Sequence, residues 1–102
     1  MASYETVRRD VADGVATLTL NRPERLNALG NDLRSALAEA WREFRDSPTA
    51  EVAIYTGAGR AFCAGEDMKE SLTRGAPGLP ADIGEDPYNN GTLDKVVIAA
   101  IN

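Results

Sequence analysis

The chain contains no histidine and only one cysteine. The first absence removes His-based triads, most zinc sites and the commonest general base. The second excludes an internal disulfide framework and points to a reducing compartment, so a cytoplasmic location is expected. Lys and Arg together number 11 against 16 acidic residues, a formal net charge of −5. No basic stripe is present to neutralise nucleic-acid phosphates or to hold an anionic membrane, so neither partner is expected. The N-terminal MASYETVRRD lacks an apolar signal region, and no run approaches the ~20 apolar residues that span a bilayer. P-loop and Gly-x-Gly-x-x-Gly patterns are missing, as is any spaced Asp ladder for Ca²⁺ or Mg²⁺. No metal site is therefore expected.

What is present suits one small domain: 102 residues, 43% hydrophobic and 26% charged. YETVRRDVADGVATLTL reads as two extended runs around Asp13-Gly14, a pair suited to a hairpin turn with positive φ. In VATLTL, Ala16, Leu18 and Leu20 fall on one face and Val15, Thr17 and Thr19 on the other, which is strand periodicity. Pro23 then forces a loop. From Asn27 onward, Leu29, Leu33, Ala36, Leu37, Ala40, Trp41 and Phe44 recur at spacings of three and four. This is one apolar helical stripe, with Asn27 as the expected N-cap and Ser47-Pro48 as the stop. Arg34, Glu39, Arg42, Glu43 and Arg45 read as the solvated face, and Trp41 reads as core packing.

EVAIYTG is a short β-branched and aromatic run, expected as the buried strand of a crossover unit. The small residues of GAGRAFCAG permit sharp turns and close backbone approach, and EDMKESLTR has the charge order of a helix. Residues 75–92 carry many Gly and Pro and are expected as a flexible loop. The apolar run from Val96 to Ile101 is expected as a strand whose Ile98 and Ile101 want a core that the chain does not supply.

The segment RAFCAGEDMKE holds the side chains most open to a chemical reading. Cys63 has no neighbouring His or Lys to lower its pKa and reads as a small packing residue. Glu66 and Asp67 would project about 100° apart on a helix, so the two carboxylates cannot flank one bond. What remains is backbone. A strand ending in YTG, a tight Gly/Ala turn and a helix beginning after Gly65 aim free N–H groups into one concavity with local positive potential. An oxyanion is one occupant such a place suits. An acidic protein can still bind an anion where a local Arg or a helix N-terminus supplies the field.

VATLTLNRPERLNAL, AIYTGAGRAFCAGEDMKE and KVVIAAIN, in that order and spacing, resemble the enoyl-CoA hydratase/isomerase (crotonase) superfamily. The similarity covers most of residues 12–72 and returns at 95–102. It implies an α/β fold, a crotonase-like spiral of repeated β-β-α units, of which residues 1–102 would be the incomplete N-terminal part. It also implies an acyl-CoA thioester as ligand, with no separate cofactor because coenzyme A belongs to the substrate.

In the family, the residue after the Ala-Gly pair donates its backbone N–H to the thioester oxygen; here that is Glu66. By the same resemblance Ala64, Asp67 and Met68 line the adenine end of the CoA site. Arg25, Leu26 and Ala28 match the loop that meets the CoA nucleotide and pantetheine, and Arg25 is chemically apt for a phosphate. The family's second oxyanion donor, its catalytic carboxylates and the helices that build its trimers lie beyond a stretch like VVIAAIN. The chain is therefore expected to be the N-terminal part of a parent that hydrates an enoyl-CoA or shifts its double bond as a trimer or hexamer. A dehydratase, thioester hydrolase or decarboxylase is the alternative reaction. The 102-residue chain alone is expected to be inactive and marginally stable, with an end at Asn102 that arises by cleavage or truncation; the rival reading is a non-catalytic CoA-binding or assembly fragment.

Overall fold

The computed structural model describes residues 6–65, 86–88 and 91–102. Its frame is a four-stranded sheet in the order β1-β2-β3-β4, with β1 at Val7–Ala12, β2 at Val15–Leu20, β3 at Val52–Gly57 and β4 at Val96–Ala100. The first pair is antiparallel and meets at Ala12↔Val15. Between them Asp13 and Gly14 have φ of 53° and 81°, the two positive values that a two-residue turn of type I′ requires. The pairs β2–β3 and β3–β4 are parallel, in registers Leu18↔Tyr55 and Tyr55↔Ala99. A parallel pair needs a long crossover, and helix α1, Asn31–Asp46, supplies it between β2 and β3.

The alternation in β2 sorts its side chains as expected: Ala16, Leu18 and Leu20 are buried in the cluster formed with α1. Val7 of β1 and Ala53 and Tyr55 of β3 join them from the same side of the sheet. Leu33, Leu37, Ala40, Trp41 and Phe44 close the cluster from the helix, and Trp41 is fully buried. Each large side chain so buried stabilises the fold by about 1.5–3 kcal/mol. Trp41 is the hub of an aromatic group. Its ring lies 5.1 Å edge-on from Tyr55 and stacks 4.6 Å from Tyr88 at an interplanar angle of 9°. Tyr88 follows the buried Asp86 and Pro87, and its N–H donates to the Asp86 carboxylate at 2.9 Å. Residues 75–85, 89 and 90 lie outside the described residues, as does the helix expected in EDMKESLTR.

Two expectations change. Asn27 does not cap α1: the cap position is Gly30, in extended conformation with no side-chain hydrogen bond. Leu26 and Asn27 both adopt left-handed backbone, φ 52° and 56°, which breaks helical continuation, and the Asn27 side chain is engaged elsewhere. The polar side of α1 is also drier than its charges suggest. Arg34, Arg42 and Glu43 are half-buried, and the Arg9 Nε lies 3.8 Å from a Glu43 carboxylate oxygen.

The other sheet face carries Val15, Thr17 and Thr19 from β2, Val52, Ile54 and Thr56 from β3, and Val96, Ile98 and Ala100 from β4, by register. Val96 and Ile98 remain 61% and 54% exposed, and Ile101 just past the strand is 75% exposed. Parallel strands are ordinarily covered on both faces. Here the second face is open at β4.

Candidate functional site

Two loops meet at the ends of β2 and β3. The first, residues 21–30, begins with a single 3-10 turn at Pro23–Arg25. Pro suits that first turn because its φ is preset and its missing N–H has no partner to lose. The loop is closed internally: the Asn27 N–H donates to the Arg22 carbonyl (2.9 Å), and the Arg22 N–H donates to Asn27 Oδ1 (2.7 Å). Leu26 follows the 3-10 turn in left-handed backbone. A branched apolar residue there stores local strain of order 1–3 kcal/mol.

The second loop runs from Gly57 to Gly65. Its start is pinned by the Ala58 N–H, which donates to the Leu20 carbonyl at 2.8 Å. Gly57 is dictated by space. A Cβ there would stand 2.5 Å from the Phe62 carbonyl oxygen, 2.7 Å from that of Ala61 and 2.8 Å from Asn27 Nδ2. Phe62 anchors the loop on the aromatic group, 5.0 Å edge-on from Tyr55. Cys63 is half-buried against the core, and its sulfur accepts the Gly65 N–H at 3.4 Å. That is the packing role expected of it.

A two-bond bridge joins the loops. The Ala64 N–H donates to the Leu26 carbonyl at 3.0 Å, and the Leu29 N–H donates to the Gly65 carbonyl at 2.6 Å. The bridge sets Ala64 beside Leu26, with Arg25 and Ala28 flanking Leu26 in sequence. Four of the seven residues expected to line the ligand site are thus gathered at one seam. The other three, Glu66, Asp67 and Met68, lie outside the described residues. Charge at the seam departs from the chain's average. Arg22, Arg25 and Arg60 stand on these loops with one acidic residue, Glu24, in a protein of net charge −5. Among the described residues no group of three or more His, Cys, Asp or Glu could hold a metal ion, and no helix is long and apolar enough to cross a membrane.

Sequence reasoning missed Asn27 and Asn102. Asn27 is fully buried, and its Nδ2 donates across the seam to the carbonyls of Ala58 (3.0 Å) and Ala61 (2.8 Å). The Asn102 Nδ2 donates to the carbonyls of Gly57 (2.9 Å) and Gly59 (2.6 Å). The available signal was an Asn set among apolar residues before the helix, and it admits a cap as readily as a cross-loop tie.

The family model for enoyl-CoA hydratase/isomerase matches residues 10–102. The chain is 40% identical over 106 residues to the 1,2-epoxyphenylacetyl-CoA isomerase of Escherichia coli, covering 96% of this chain and 40% of that protein. It is 38% identical over 108 residues to the (E)-benzylidenesuccinyl-CoA hydratase of Thauera aromatica, covering 94% of this chain and 39% of that one. The crystal structure of an enoyl-CoA hydratase from Mycobacterium marinum superposes with a TM-score of 0.80 at 34% identity, over 94% of this chain and 47% of that chain. The chain thus spans less than half the length of these relatives. Its mixed α/β sheet is part of the crotonase fold, and the chain belongs to the enoyl-CoA hydratase/isomerase family.

Proposed function

We propose that the chain supplies the acyl-CoA-binding part of an enoyl-CoA hydratase/isomerase. The observation that carries this reading is the bridge that seats Ala64 against Leu26, with Arg25 and Ala28 alongside. Three arginines on the two loops supply positive potential for the phosphates of coenzyme A. Asp67 and Met68 complete the adenine side in this reading, and the relatives' names, all of CoA thioester enzymes, favour the same ligand class.

In the reaction, the Glu66 main-chain N–H holds the thioester oxygen as it gains negative charge during hydration or double-bond isomerisation. One such donor is worth about 3–4 kcal/mol of barrier. Any residue except proline supplies the same donor, so the Glu66 carboxylate has no part in the step. Dehydratase, thioester hydrolase and decarboxylase outcomes share this oxyanion and differ in the acid and base groups around it. The parent acts in the cytoplasm as a trimer or hexamer.

A second reading, a non-catalytic CoA-binding or assembly segment, is favoured by the open apolar face at Val96 and Ile98. Two measurements on this polypeptide test the pair. Saturable binding of butyryl-CoA by calorimetry is expected, and its absence would sink the acyl-CoA reading. Turnover of crotonyl-CoA above background would overturn the non-catalytic one.

A further inference from the structure

We infer that Asn27 is a positioning residue of this seam, acting through the Gly57–Ala61 turn, and that Asn102 holds the same turn. The inference takes its ligand from the acyl-CoA reading above, while its structural half stands on the hydrogen bonds alone. Carbonyls only accept, so those of residues 57–61 need donors from elsewhere. Four of them, those of Gly57, Ala58, Gly59 and Ala61, accept from two side-chain amides. A primary amide carries two hydrogens on one nitrogen, and each of these asparagines directs its nitrogen at two carbonyls.

Asn27 does more than satisfy the turn. Its Oδ1 accepts the Arg22 N–H, so one buried planar group fixes the distance between the loop bearing Arg25, Leu26 and Ala28 and the loop bearing Ala64. The bridge between Ala64 and Leu26 lies three residues beyond Ala61, at the far end of the segment so held. Asn102 ties the turn to the end of β4, so the seam is registered against the sheet edge as well. Its bond to Gly59 is exposed, whereas its bond to Gly57 is partly buried, as are both bonds of Asn27.

Asn27→Asp is the sharpest test. The substitution preserves shape and the acceptor for Arg22, but turns a donor toward Ala58 and Ala61 into an acceptor facing two carbonyl oxygens. Butyryl-CoA affinity is to be measured by calorimetry, and exchange of the Ala64 and Leu29 amide hydrogens by NMR, in the wild type, Asn27→Asp, Asn102→Ala and Leu37→Val. The last loosens the helix core remote from the seam. Asn27→Asp is expected to weaken butyryl-CoA binding at least tenfold and to speed exchange at both amides. Asn102→Ala is expected to do the same severalfold, and Leu37→Val to leave affinity within twofold of wild type.

Wild-type affinity and exchange in a folded Asn27→Asp would overturn the inference. So would Leu37→Val weakening binding as much as Asn27→Asp. Should Asn27→Asp fail to fold, Asn102→Ala decides by the same two readouts. Failure of the wild type itself to bind butyryl-CoA would refute the acyl-CoA reading, leaving amide exchange to decide whether the asparagines position the loops.

Discussion

Lys95 and Phe44 meet twice: the Lys95 ammonium nitrogen lies 2.8 Å from the Phe44 carbonyl oxygen and 5.0 Å from the centre of the Phe44 ring. The same nitrogen donates to the carbonyls of Ser47 (2.9 Å) and Ala50 (2.8 Å). An ammonium has three N–H donors, and all three find carbonyls at the C-terminal end of α1 and the turn that follows. Positive charge at that end is also favourable beside the partial negative pole of the helix dipole. The residue that introduces β4 therefore closes a helix that ended about fifty residues earlier.

Lys95→Met keeps most of the apolar stem and removes the three donors. The variant is expected to lose about 2–3 kcal/mol, because partly buried carbonyls are left without their partner. A lowered urea midpoint with an unchanged slope would show it, and an unchanged midpoint would refute the tie.

Gly57→Ala tests the tight approach of the two loops. The added carbon meets backbone oxygens at 2.5 and 2.7 Å, and backbone yields less readily than a flexible side chain. A loss of about 2–3 kcal/mol is expected, together with faster exchange of the Ala64 amide. Gly65→Ala offers a contrast: nothing stands within 4 Å of its Cβ, but its φ is +100°. Its cost should arise from conformation alone, about 1–2 kcal/mol, and wild-type stability in Gly57→Ala would contradict the packing argument.

Stability should fall in alkali through Tyr55. Burial is the main cause that pushes its phenol well above the usual tyrosine range, with Cys63, Tyr88 and Asp86 adding to the rise. The folded state thus holds the proton more tightly than the unfolded one, whose tyrosine ionises near pH ~10. The contribution is fully present below pH ~10 and is lost as pH climbs toward the folded value, at up to about 1.4 kcal/mol per pH unit. Urea midpoints of wild type and Tyr55→Phe between pH 8 and 11 are the check. The wild type should show the extra alkaline decline and Tyr55→Phe should not.

The open apolar face predicts self-association. Val96, Ile98 and Ile101 are each more than half exposed, beside an edge strand with unpaired backbone groups. Sedimentation of the wild-type chain is expected to depend on concentration, and Ile98→Lys to shift it toward monomer. A concentration-independent monomer in the wild type would oppose this.

Where one strand or helix carries its own pattern, the fold was legible. Asp13-Gly14 and the alternation of Ala16, Leu18 and Leu20 disclosed the hairpin, and the spacing from Leu33 to Phe44 disclosed α1. Asn27 was misread because the residue types that cap a helix are those that tie loops, and its partners at Ala58 and Ala61 are more than thirty positions away. Lys95 was opaque for the same reason: a single charge before an apolar run does not reveal three carbonyls at a distant helix end and the turn after it. The resemblance pointed to Arg25, Leu26, Ala28 and Ala64, but the bridge that brings Leu26 to Ala64 is formed by backbone, and backbone leaves no signature of its own.

The strand order carries a consequence for how the molecule is made. Because β1, β2, β3 and β4 lie side by side in the order in which they occur along the chain, each strand emerges from synthesis after the edge it pairs with already exists. Growth runs one way across the sheet, like courses laid in a wall, and no strand has to be threaded between two placed earlier. Domains are built from the N-terminus at several residues per second, which leaves α1 time to seat on the β1–β2 hairpin before Val52 arrives. At every stage the newest strand is the growing edge, and transient protection by a chaperone there would keep it free for the strand that follows.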